Sequence, residues 1–476
     1  MSLKASQGDL ADLPAVELIK CFQDQSATPV DATQAALDRI DRFDAQVNAF
    51  VDVDRDGALK AAEESTKRWQ TKQPMGPLDG VPTTIKDIVW IKGYRTGFGS
   101  DVLNMKEAAT EDAPCVARLR EAGAVFLGTT HTPENGWKAL TDSPSCGITR
   151  NPWNTDKTPG GSSGGAAAAA ALGMGALHVG TDGGGSIRIP SAFTGITGIK
   201  PSFGRVPAYP ASAFGTVAHV GPMARTVDDL ALMLMVLAGA DSRDWFSMPA
   251  NRDFDPTLGL GKGVRGLRIA YSPALGYVDV DPEIAAAVHK AALSFEQLGA
   301  HVEEVDPGFD CPLDTFHKHW FSGAMNRTRD LTPDEISKLD PGLIEIIEEA
   351  RSFSLQDYLS AMDKRAALGH RMRVFHDTYD LLLTPTVALP AFDAGLEVPA
   401  ESGLKRWTEW ASFSYPFNLT QQPACSIPCG FTSHGLPIGL QIVGPMFADE
   451  LVLRAAKAFE DVMPSRMPGQ PNPDRN

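Results

Sequence analysis

The sequence is poor in cysteine and carries fewer basic than acidic side chains. Its 476 residues include six cysteines, none in a CxxC or other metal-ligand spacing, which is typical of reduced thiols in a cytoplasm. The 43 Lys and Arg residues against 59 Asp and Glu residues give a formal net charge of −16. This balance disfavours nucleic acids and anionic membranes as partners, because both select clustered basic side chains.

Long hydrophobic runs and cofactor motifs are also missing. No apolar run reaches the roughly 20 residues of a membrane span, and the start, MSLKASQGDLADLPAVELIK, lacks the apolar core of a signal peptide. No HExxH or EF-hand pattern occurs, and no Lys-Ser or Lys-Thr pair follows the glycines as a Walker loop requires. We therefore expect a cytoplasmic protein with no metal, no cofactor, no nucleic-acid partner and no membrane partner.

Helix and strand patterns alternate along the chain. VARLREAGAVFLGTT predicts a helix closed by Gly123 and followed by a strand, and AAAVHKAALSFEQLGAHVEEVD repeats this order later. The alternation favours an α/β fold in one domain, with much of the sheet parallel. We expect a helical segment over residues 1–70 and a catalytic core over 71–462. The proline-rich end, 463–476, has too little hydrophobic content to pack and is expected to be frayed.

Two glycine-flanked serine sites stand out between residues 157 and 205. GGSSGG contains Ser162 and Ser163, and GTDGGGSIRIP places Ser186 directly after three glycines. The alanine-rich segment between them is long enough for a helix and a short strand, so both hydroxyls can return to one end of a sheet. Glycine backbone approaches a bound group closely and leaves its amides free, which suits a phosphate cradle or an oxyanion hole.

GGSSG also satisfies the G-x-S-x-G pattern of a nucleophile elbow. That pattern would make Ser162 the nucleophile of a histidine-triad α/β-hydrolase. An elbow serine follows an apolar strand, however, and NPWNTDKTPGG is polar and contains Pro152 and Pro159. A central strand rejects proline, so the local sequence disfavours this alternative.

Two more segments accompany GGSSGG at 160–165 and GTDGGGSIRIP at 180–190, namely PLDGVPTTIKDI at 77–88 and the late GLPIGLQIVGP. Together these segments resemble the amidase signature family of serine hydrolases, and the similarity spans about Leu13 to Asp461. The resemblance implies a large mixed β-sheet sandwiched between helical layers. It also implies a Ser–cis-Ser–Lys triad, with Ser186 as nucleophile, Ser162 as the bridging serine after a cis peptide bond, and Lys86 as base.

The chemistry of the residues supports this triad. A serine hydroxyl is a weak nucleophile until a base removes its proton, and a lysine can act as that base only while neutral. Burial of Lys86 beside apolar neighbours such as Ile85 and Val89 would lower its pKa in the required direction. The backbone N–H groups of Gly183, Gly184 and Gly185 are expected to form the oxyanion hole, since no side chain obstructs them.

Further residues are expected around the triad. Ser163 is expected to support it by hydrogen bonding, while Thr181, Asp182 and Arg188 either orient the loop or contact substrate. The resemblance implies that the loop after TPE lines the acyl pocket. Gly136, Trp137 and Leu140 are then expected near the reacting carbonyl of the substrate. An aromatic wall at Trp137 would favour an apolar or aryl group, although this tryptophan suits a core position equally.

The resemblance implies an amidase, a hydrolase of carbon–nitrogen bonds in linear amides that works through an acyl-enzyme on Ser186. Esters, anilides and carbamates are further candidate substrates, and a homodimer is left open. The alternative within the family is the glutaminase subunit of a tRNA-dependent amidotransferase. It is disfavoured because EWASFSYPFNL offers only Glu409 as an acidic residue. An inactive binding module is disfavoured because Lys86, Ser162 and Ser186 are all present.

Overall fold

An 11-stranded mixed β-sheet runs through the centre of the protein, with strand order β1-β3-β2-β6-β8-β7-β12-β13-β11-β9-β10. The computed structural model describes residues 9–251 and 253–470. The strands are β1 Phe50–Val53, β2 Pro82–Lys86, β3 Val125–Thr130, β4 Asp142–Ser143, β5 Gly147–Ile148, β6 Leu177–Asp182, β7 Thr197–Lys200, β8 His219–Ala224, β9 Arg268–Tyr271, β10 His301–Glu304, β11 Leu381–Pro385, β12 Ala424–Phe431 and β13 Pro437–Val443. Strands β4 and β5 pair separately as a small hairpin.

Helices cover both faces of the sheet. They are α1 Ala15–Asp24, α2 Pro29–Val47, α3 Arg55–Gln70, α4 Pro114–Glu121, α5 Gly164–Ala171, α6 Arg188–Thr194, α7 Val227–Leu237, α8 Pro282–Gln297, α9 Leu313–Arg327, α10 Pro333–Ile336, α11 Pro341–Arg351, α12 Leu355–Phe375, α13 Trp407–Trp410, α14 Pro416–Leu419 and α15 Asp449–Glu460. Short 3₁₀ turns lie at Leu10–Asp12, Glu134–Gly136, Gly215–Val217 and Leu260–Lys262.

The sheet has parallel pairs on either side of an antiparallel centre, and its edge strand β1 pairs antiparallel with β3. Strand β2 pairs in parallel with β3 and β6, and β9 pairs in parallel with β10 and β11. From β6 to β11 every neighbouring pair is antiparallel. The predicted helix–Gly–strand units are confirmed at both flanks, where Gly123 and Gly299 follow α4 and α8 with φ of +85° and +92°. The expectation that much of the sheet is parallel thus holds only for the groups β3-β2-β6 and β11-β9-β10.

Strand β11 shows how the two faces are filled. Leu381 and Leu383 join a hydrophobic cluster that contains residues of α8 and α15, while Leu382 between them joins another that contains Phe413 and Phe417. Alternate side chains of a strand point to opposite faces. A continuous apolar run therefore marks a strand that is covered on both sides, as the helical layers require.

Helix α5 is buried along its whole length. Each of its residues is a buried glycine or alanine, and the alanines are at most 2% exposed. A Cβ on Gly165 would lie 2.5 Å from the backbone oxygen of Ala49 and the backbone nitrogen of His131. Small side chains are therefore what allow this helix to pass through the middle of the protein, and its first residue, Gly164, directly follows the serine pair.

The two ends of the chain differ from the sequence expectations. The predicted helical segment 1–70 contains α1 to α3, but it also supplies β1, which pairs with β3 at the sheet edge. In the tail predicted to be frayed, Met467 and Pro468 are buried, and Met467 is only 8% exposed. Residues 1–8 and 471–476 lie outside the described residues. Within the described ranges, no helix has both the length and the apolar character needed to cross a membrane.

Candidate active site

Lys86 and Thr181 meet at the carboxyl edge of two parallel strands. Lys86 is the last residue of β2, and Thr181 is the last residue but one of β6, its parallel neighbour. Loops that leave the carboxyl ends of adjacent parallel strands form a crevice there. In this crevice the Lys86 Nζ and Thr181 Oγ1 are hydrogen-bonded at 2.9 Å.

The serine pair that precedes α5 reaches the same lysine. The Lys86 Nζ lies 2.6 Å from Ser162 Oγ and 2.9 Å from Ser163 Oγ. The peptide bond between Gly161 and Ser162 is cis, as the resemblance implies. Residues that are far apart in the sequence are thus joined in one buried hydrogen-bonded cluster.

Burial controls the charge of Lys86. The side chain is 0% exposed, and this desolvation lowers its pKa well below the ordinary lysine value of 10.5, outweighing the opposing effect of the Asp182 carboxylate. The neighbouring Asp87 does not pair with it, since its carboxylate accepts a hydrogen bond from the Gly97 N–H at 3.0 Å. The direction of the pKa shift is the one that a general base needs.

The hydrogen bonds suit a neutral lysine. A neutral amine has two N–H donors and one lone pair, so one of the three neighbouring hydroxyls can donate to it. The Ser163 hydroxyl lies 3.2 Å from the Thr181 carbonyl oxygen and donates to it. Ser162 and Thr181 are therefore the two possible donors, and the Ser162 contact is the shorter one.

Ser186 lies in the loop between β6 and α6 and shares a cavity with Ser162. Its carbonyl oxygen accepts a hydrogen bond from the Ser163 N–H at 3.2 Å, which ties the two serine loops together. Among the described residues, no hydrogen bond joins the Ser162 and Ser186 hydroxyls. The proton relay between them stays a prediction.

Asp182 and Arg188 shape the loop that carries Ser186. Both are fully buried, and Arg188 donates to the Asp182 carboxylate through Nε and Nη2, each at 2.9 Å. Burial alone would raise the pKa of Asp182, but the Arg188 guanidinium outweighs this effect and holds the pKa well below its usual range. Neither residue lines the cavity, so the loop-orienting role is the one that this geometry favours.

The three glycines before Ser186 are not equivalent. The Gly185 N–H donates to Asp182 Oδ1 at 2.8 Å, so this amide is already occupied and does not suit the expected oxyanion hole. The amides of Gly183 and Gly184 donate to no group in the part of the chain that the structure describes. They remain the candidates for binding a developing negative charge.

The cavity above Ser186 has a volume of about 510 Å³. The active-site residues that line it are Ser162, Thr181, Gly183 and Ser186, and its aromatic lining consists of Trp90, Phe98, Tyr209, Phe214 and Trp320. The Phe214 and Trp320 rings stack with centroids 3.7 Å apart. Such a lining binds apolar and aryl groups.

Of the three pocket residues expected from the resemblance, only Gly136 lines the cavity. A Cβ on Gly136 would lie 3.3 Å from Ser162 Oγ. Trp137 is 0% exposed and lies in a hydrophobic cluster, with its ring against Gly342. Leu140 is also buried there, and its backbone lies against Gly161. The aromatic wall is therefore formed by residues distant in sequence, which no local pattern identifies.

Asn135 is a cavity residue that the sequence analysis missed. It has a φ of +53° and is 8% exposed, and its Nδ2 has no hydrogen-bond partner among the described residues. Asparagine tolerates the left-handed conformation better than most residues, so its position beside Gly136 could have indicated a turn here. A buried amide nitrogen without a partner beside a cavity is available to a bound molecule.

The structure gives no support to a histidine triad. No strand directly precedes Ser162, as an elbow requires, and no described histidine forms a hydrogen bond with Ser162 or Ser186. His219 lines the cavity, but its Nδ1 faces the Val217 carbonyl oxygen at 2.8 Å, and burial lowers its pKa well below 6.5. His178, close to the glycine run in sequence, contacts Thr84 instead.

Comparison with known proteins agrees with the fold and with the motifs. The amidase family profile matches residues 31–453. An acylamidase of Rhodococcus erythropolis is 38% identical over 465 residues, which cover 95% of this chain and 96% of that protein. The A subunit of the glutamyl-tRNA(Gln) amidotransferase of Geobacter sp. (strain M21) is 34% identical, with coverage of 95% and 97%.

A crystal structure gives the same result in three dimensions. A bacterial aryl acylamidase of the amidase signature enzymes aligns with a TM-score of 0.89 and 32% sequence identity, covering 95% of this chain and 96% of that one. The shared architecture includes the large mixed sheet between helices. The chain therefore belongs to the amidase signature family and is a hydrolase of carbon–nitrogen bonds in amides.

Proposed function

We propose that the protein hydrolyses carboxylic amides through an acyl-enzyme on Ser186, with Lys86 as base and Ser162 as proton relay. The observation that carries this proposal is the 2.6 Å contact between the fully buried Lys86 Nζ and Ser162 Oγ, beside the cavity that contains Ser186. A buried lysine with a lowered pKa, surrounded by hydroxyls rather than carboxylates, has the properties of a base.

In the acylation half, neutral Lys86 accepts the Ser162 proton while Ser162 accepts the proton of Ser186. The Ser186 oxygen attacks the amide carbon, and the resulting oxyanion faces the free amides of Gly183 and Gly184. The C–N bond then breaks, the nitrogen takes a proton back through Ser162, and the amine leaves. Ser186 is left as an ester of the acyl group.

In the deacylation half, water takes the place of the amine. The same relay removes one proton from the water, whose oxygen attacks the ester carbon. Collapse of the second tetrahedral intermediate returns the proton to Ser186 and releases the carboxylic acid. One water is consumed for each amide, and no external cofactor enters this scheme.

The proposed substrates are small-molecule amides with an aryl or bulky apolar group. Support comes from the aromatic cavity lining, above all the stacked Phe214 and Trp320 rings, and from the acylamidase relatives. Aryl esters and carbamates present a similar carbonyl and remain candidates. We place the reaction in the cytoplasm, a proposal supported by the six free cysteines.

The second candidate is glutamine hydrolysis, since the amidotransferase subunits are also relatives. Free glutamine carries an ammonium group that would need an acidic partner. No Asp or Glu of the described ranges lines the cavity. Glu409, the acidic residue that the sequence offers, accepts a hydrogen bond from the Lys405 N–H and lies outside this lining. We therefore favour the amidase.

A substrate panel tests the proposal. Values of kcat/KM are measured for an aliphatic amide, an acetanilide, an aryl carbamate and L-glutamine, with Ser186→Ala as the blank. We expect the acetanilide to exceed glutamine by at least about 100-fold, because an unpaired buried ammonium costs several kcal/mol. A preference for glutamine would contradict the proposal, and activity that survives in Ser186→Ala would contradict the mechanism.

A further inference from the structure

The cavity carries positive charge in a protein with a formal net charge of −16. Two arginines, Arg327 and Arg329, line it, and no acidic side chain of the described residues does so. Arg329 is mostly exposed and lies 3.4 Å from the Asp330 carboxylate. Arg327 is the last residue of α9 and is half-buried. Its charge is therefore less well solvated than that of Arg329.

Arg327 has hydrogen-bonding capacity that the protein leaves unused. Its guanidinium lies over the Phe98 ring, 5.1 Å from the centroid, and its Nη2 donates to the Leu103 carbonyl oxygen at 3.4 Å. It forms no ion pair with any described residue. A guanidinium has five N–H donors, and a half-buried charge without an oppositely charged partner is unfavourable. Desolvation and the like charge of Arg329 both lower the pKa of Arg327.

A second unused donor lies on the same wall. The Asn135 N–H donates to the Phe98 carbonyl oxygen at 2.7 Å, so Phe98 contacts both Asn135 and Arg327. The Asn135 Nδ2 is buried and has no partner among the described residues. Buried polar groups in folded proteins are nearly always paired, so a partner supplied by a bound molecule would complete this wall.

We propose that this wall, made of Asn135, Phe98 and Arg327, binds a carboxylate carried by the amide substrate. A carboxylate accepts two parallel hydrogen bonds from a guanidinium, which gives both affinity and orientation. The missing acidic lining disfavours cationic and zwitterionic amides. The substrates selected are amides of aromatic compounds that bear a carboxylate. This inference rests on the proposed amide hydrolysis at Ser186.

Matched acetanilides test the selectivity. Values of kcat/KM are measured for 3- and 4-acetamidobenzoate, for the corresponding methylacetanilides, and for the corresponding trimethylammonium compounds. We expect the carboxylates to lose about 10- to 100-fold in Arg327→Gln, the range for hydrogen bonds to charged groups. The methyl compounds should lose at most about threefold, since only an apolar contact changes. For each substrate, kcat/KM of the wild type is divided by kcat/KM of the variant. The intrinsic reactivity of the substrate cancels in this ratio, because it is the same for both enzymes.

Two more variants complete the design. Arg351→Gln removes an arginine of α11 that pairs with Glu348 at 3.0 Å and lies outside the cavity lining. This variant should therefore have the wild-type kcat/KM for both the carboxylate and the methyl compounds. Arg327→Lys keeps the charge but not the planar pair of donors, and should retain part of the carboxylate preference. If Arg327→Gln fails to fold, inhibition of the wild-type enzyme by charged aromatic compounds still tests the carboxylate proposal. Benzoate should then inhibit methylacetanilide hydrolysis more strongly than phenyltrimethylammonium.

The outcomes separate this inference from the proposed function. If the wild type hydrolyses none of the acetanilides, the proposed function itself fails. If it hydrolyses the methyl compounds and Arg327→Gln slows all substrates equally, Arg327 is structural and only the carboxylate proposal is wrong. Equal inhibition by benzoate and by the cation would overturn it as well.

Discussion

The Trp320 ring occupies the space that a side chain on Gly183 would need. A Cβ built on Gly183 would lie 2.6 Å from a ring carbon of Trp320. The ring cannot easily move, because it stacks on Phe214 and its Nε1 donates to the Trp137 carbonyl oxygen at 2.9 Å. The same indole therefore forms the cavity wall and requires glycine at the start of the run before Ser186.

Gly183→Ala tests this relationship. We expect the variant to lose about 1–3 kcal/mol in free energy of unfolding through overpacking, and to lose kcat as the loop shifts. Gly259→Ala is the matched control, because its Cβ would meet nothing within 4 Å. Urea denaturation and steady-state kinetics measure both effects. If Gly183→Ala matches Gly259→Ala, the proposed contact has no consequence.

Ser186→Ala should abolish turnover, and a fluorophosphonate probe should label Ser186 in the wild type. The reason is that removal of a nucleophile lowers kcat by several orders of magnitude. Peptide mass spectrometry locates the label. Labelling of Ser162 instead would restore the elbow interpretation despite the absence of a preceding strand.

The pH dependence of kcat/KM should report Lys86. Protonated lysine cannot act as a base, so activity should rise with pH through the lowered pKa of this side chain. Lys86→Arg should be inactive, since a guanidinium keeps its proton at any working pH. Replacing each histidine in turn should leave the acid limb in place. Near-normal turnover in Lys86→Arg would mean that only a fixed positive charge is needed.

Lys86→Met should stabilise the protein near neutral pH. The unfolded chain holds the lysine proton up to the ordinary lysine pKa of 10.5, whereas the folded protein releases it at lower pH. The unfolded state thus binds more protons between these two pKa values, and wild-type stability gains with rising pH across that window. The variant lacks this gain, so its advantage in urea denaturation should shrink from pH 7 towards pH 10. A constant difference would argue that Lys86 is charged when folded.

Substitutions of Trp137 and Phe214 should have different effects. Trp137→Ala removes a core residue and should cost about 3–5 kcal/mol in stability, with the same loss of activity on aryl and aliphatic amides. Phe214→Ala removes part of the cavity wall and should change the ratio of kcat/KM between aryl and aliphatic amides. The expected change corresponds to about 1–3 kcal/mol in the activation free energy. If Trp137→Ala instead changed the substrate preference and Phe214→Ala did not, Trp137 would be assigned to the acyl pocket.

Local motifs were sufficient to predict the family, the helix–Gly–strand units and the side chains gathered around Lys86. The reason is that glycine runs, serines and strand ends act over a few residues, and the parallel flank then brings Lys86 and Thr181 together at one edge. Burial of Lys86 could also be anticipated, because the apolar residues Ile85, Ile88 and Val89 lie close to it in the sequence.

Tertiary packing decided the rest. The antiparallel centre of the sheet and the inward turn of Trp137 depend on contacts with distant residues. Phe214, Trp320 and Arg327 reach the cavity from a loop and from α9, yet in the sequence they are ordinary aromatic and charged residues. A helix places core-facing and cavity-facing side chains with the same 3.6-residue period. Only the packing of α9 against the glycine loop distinguishes them.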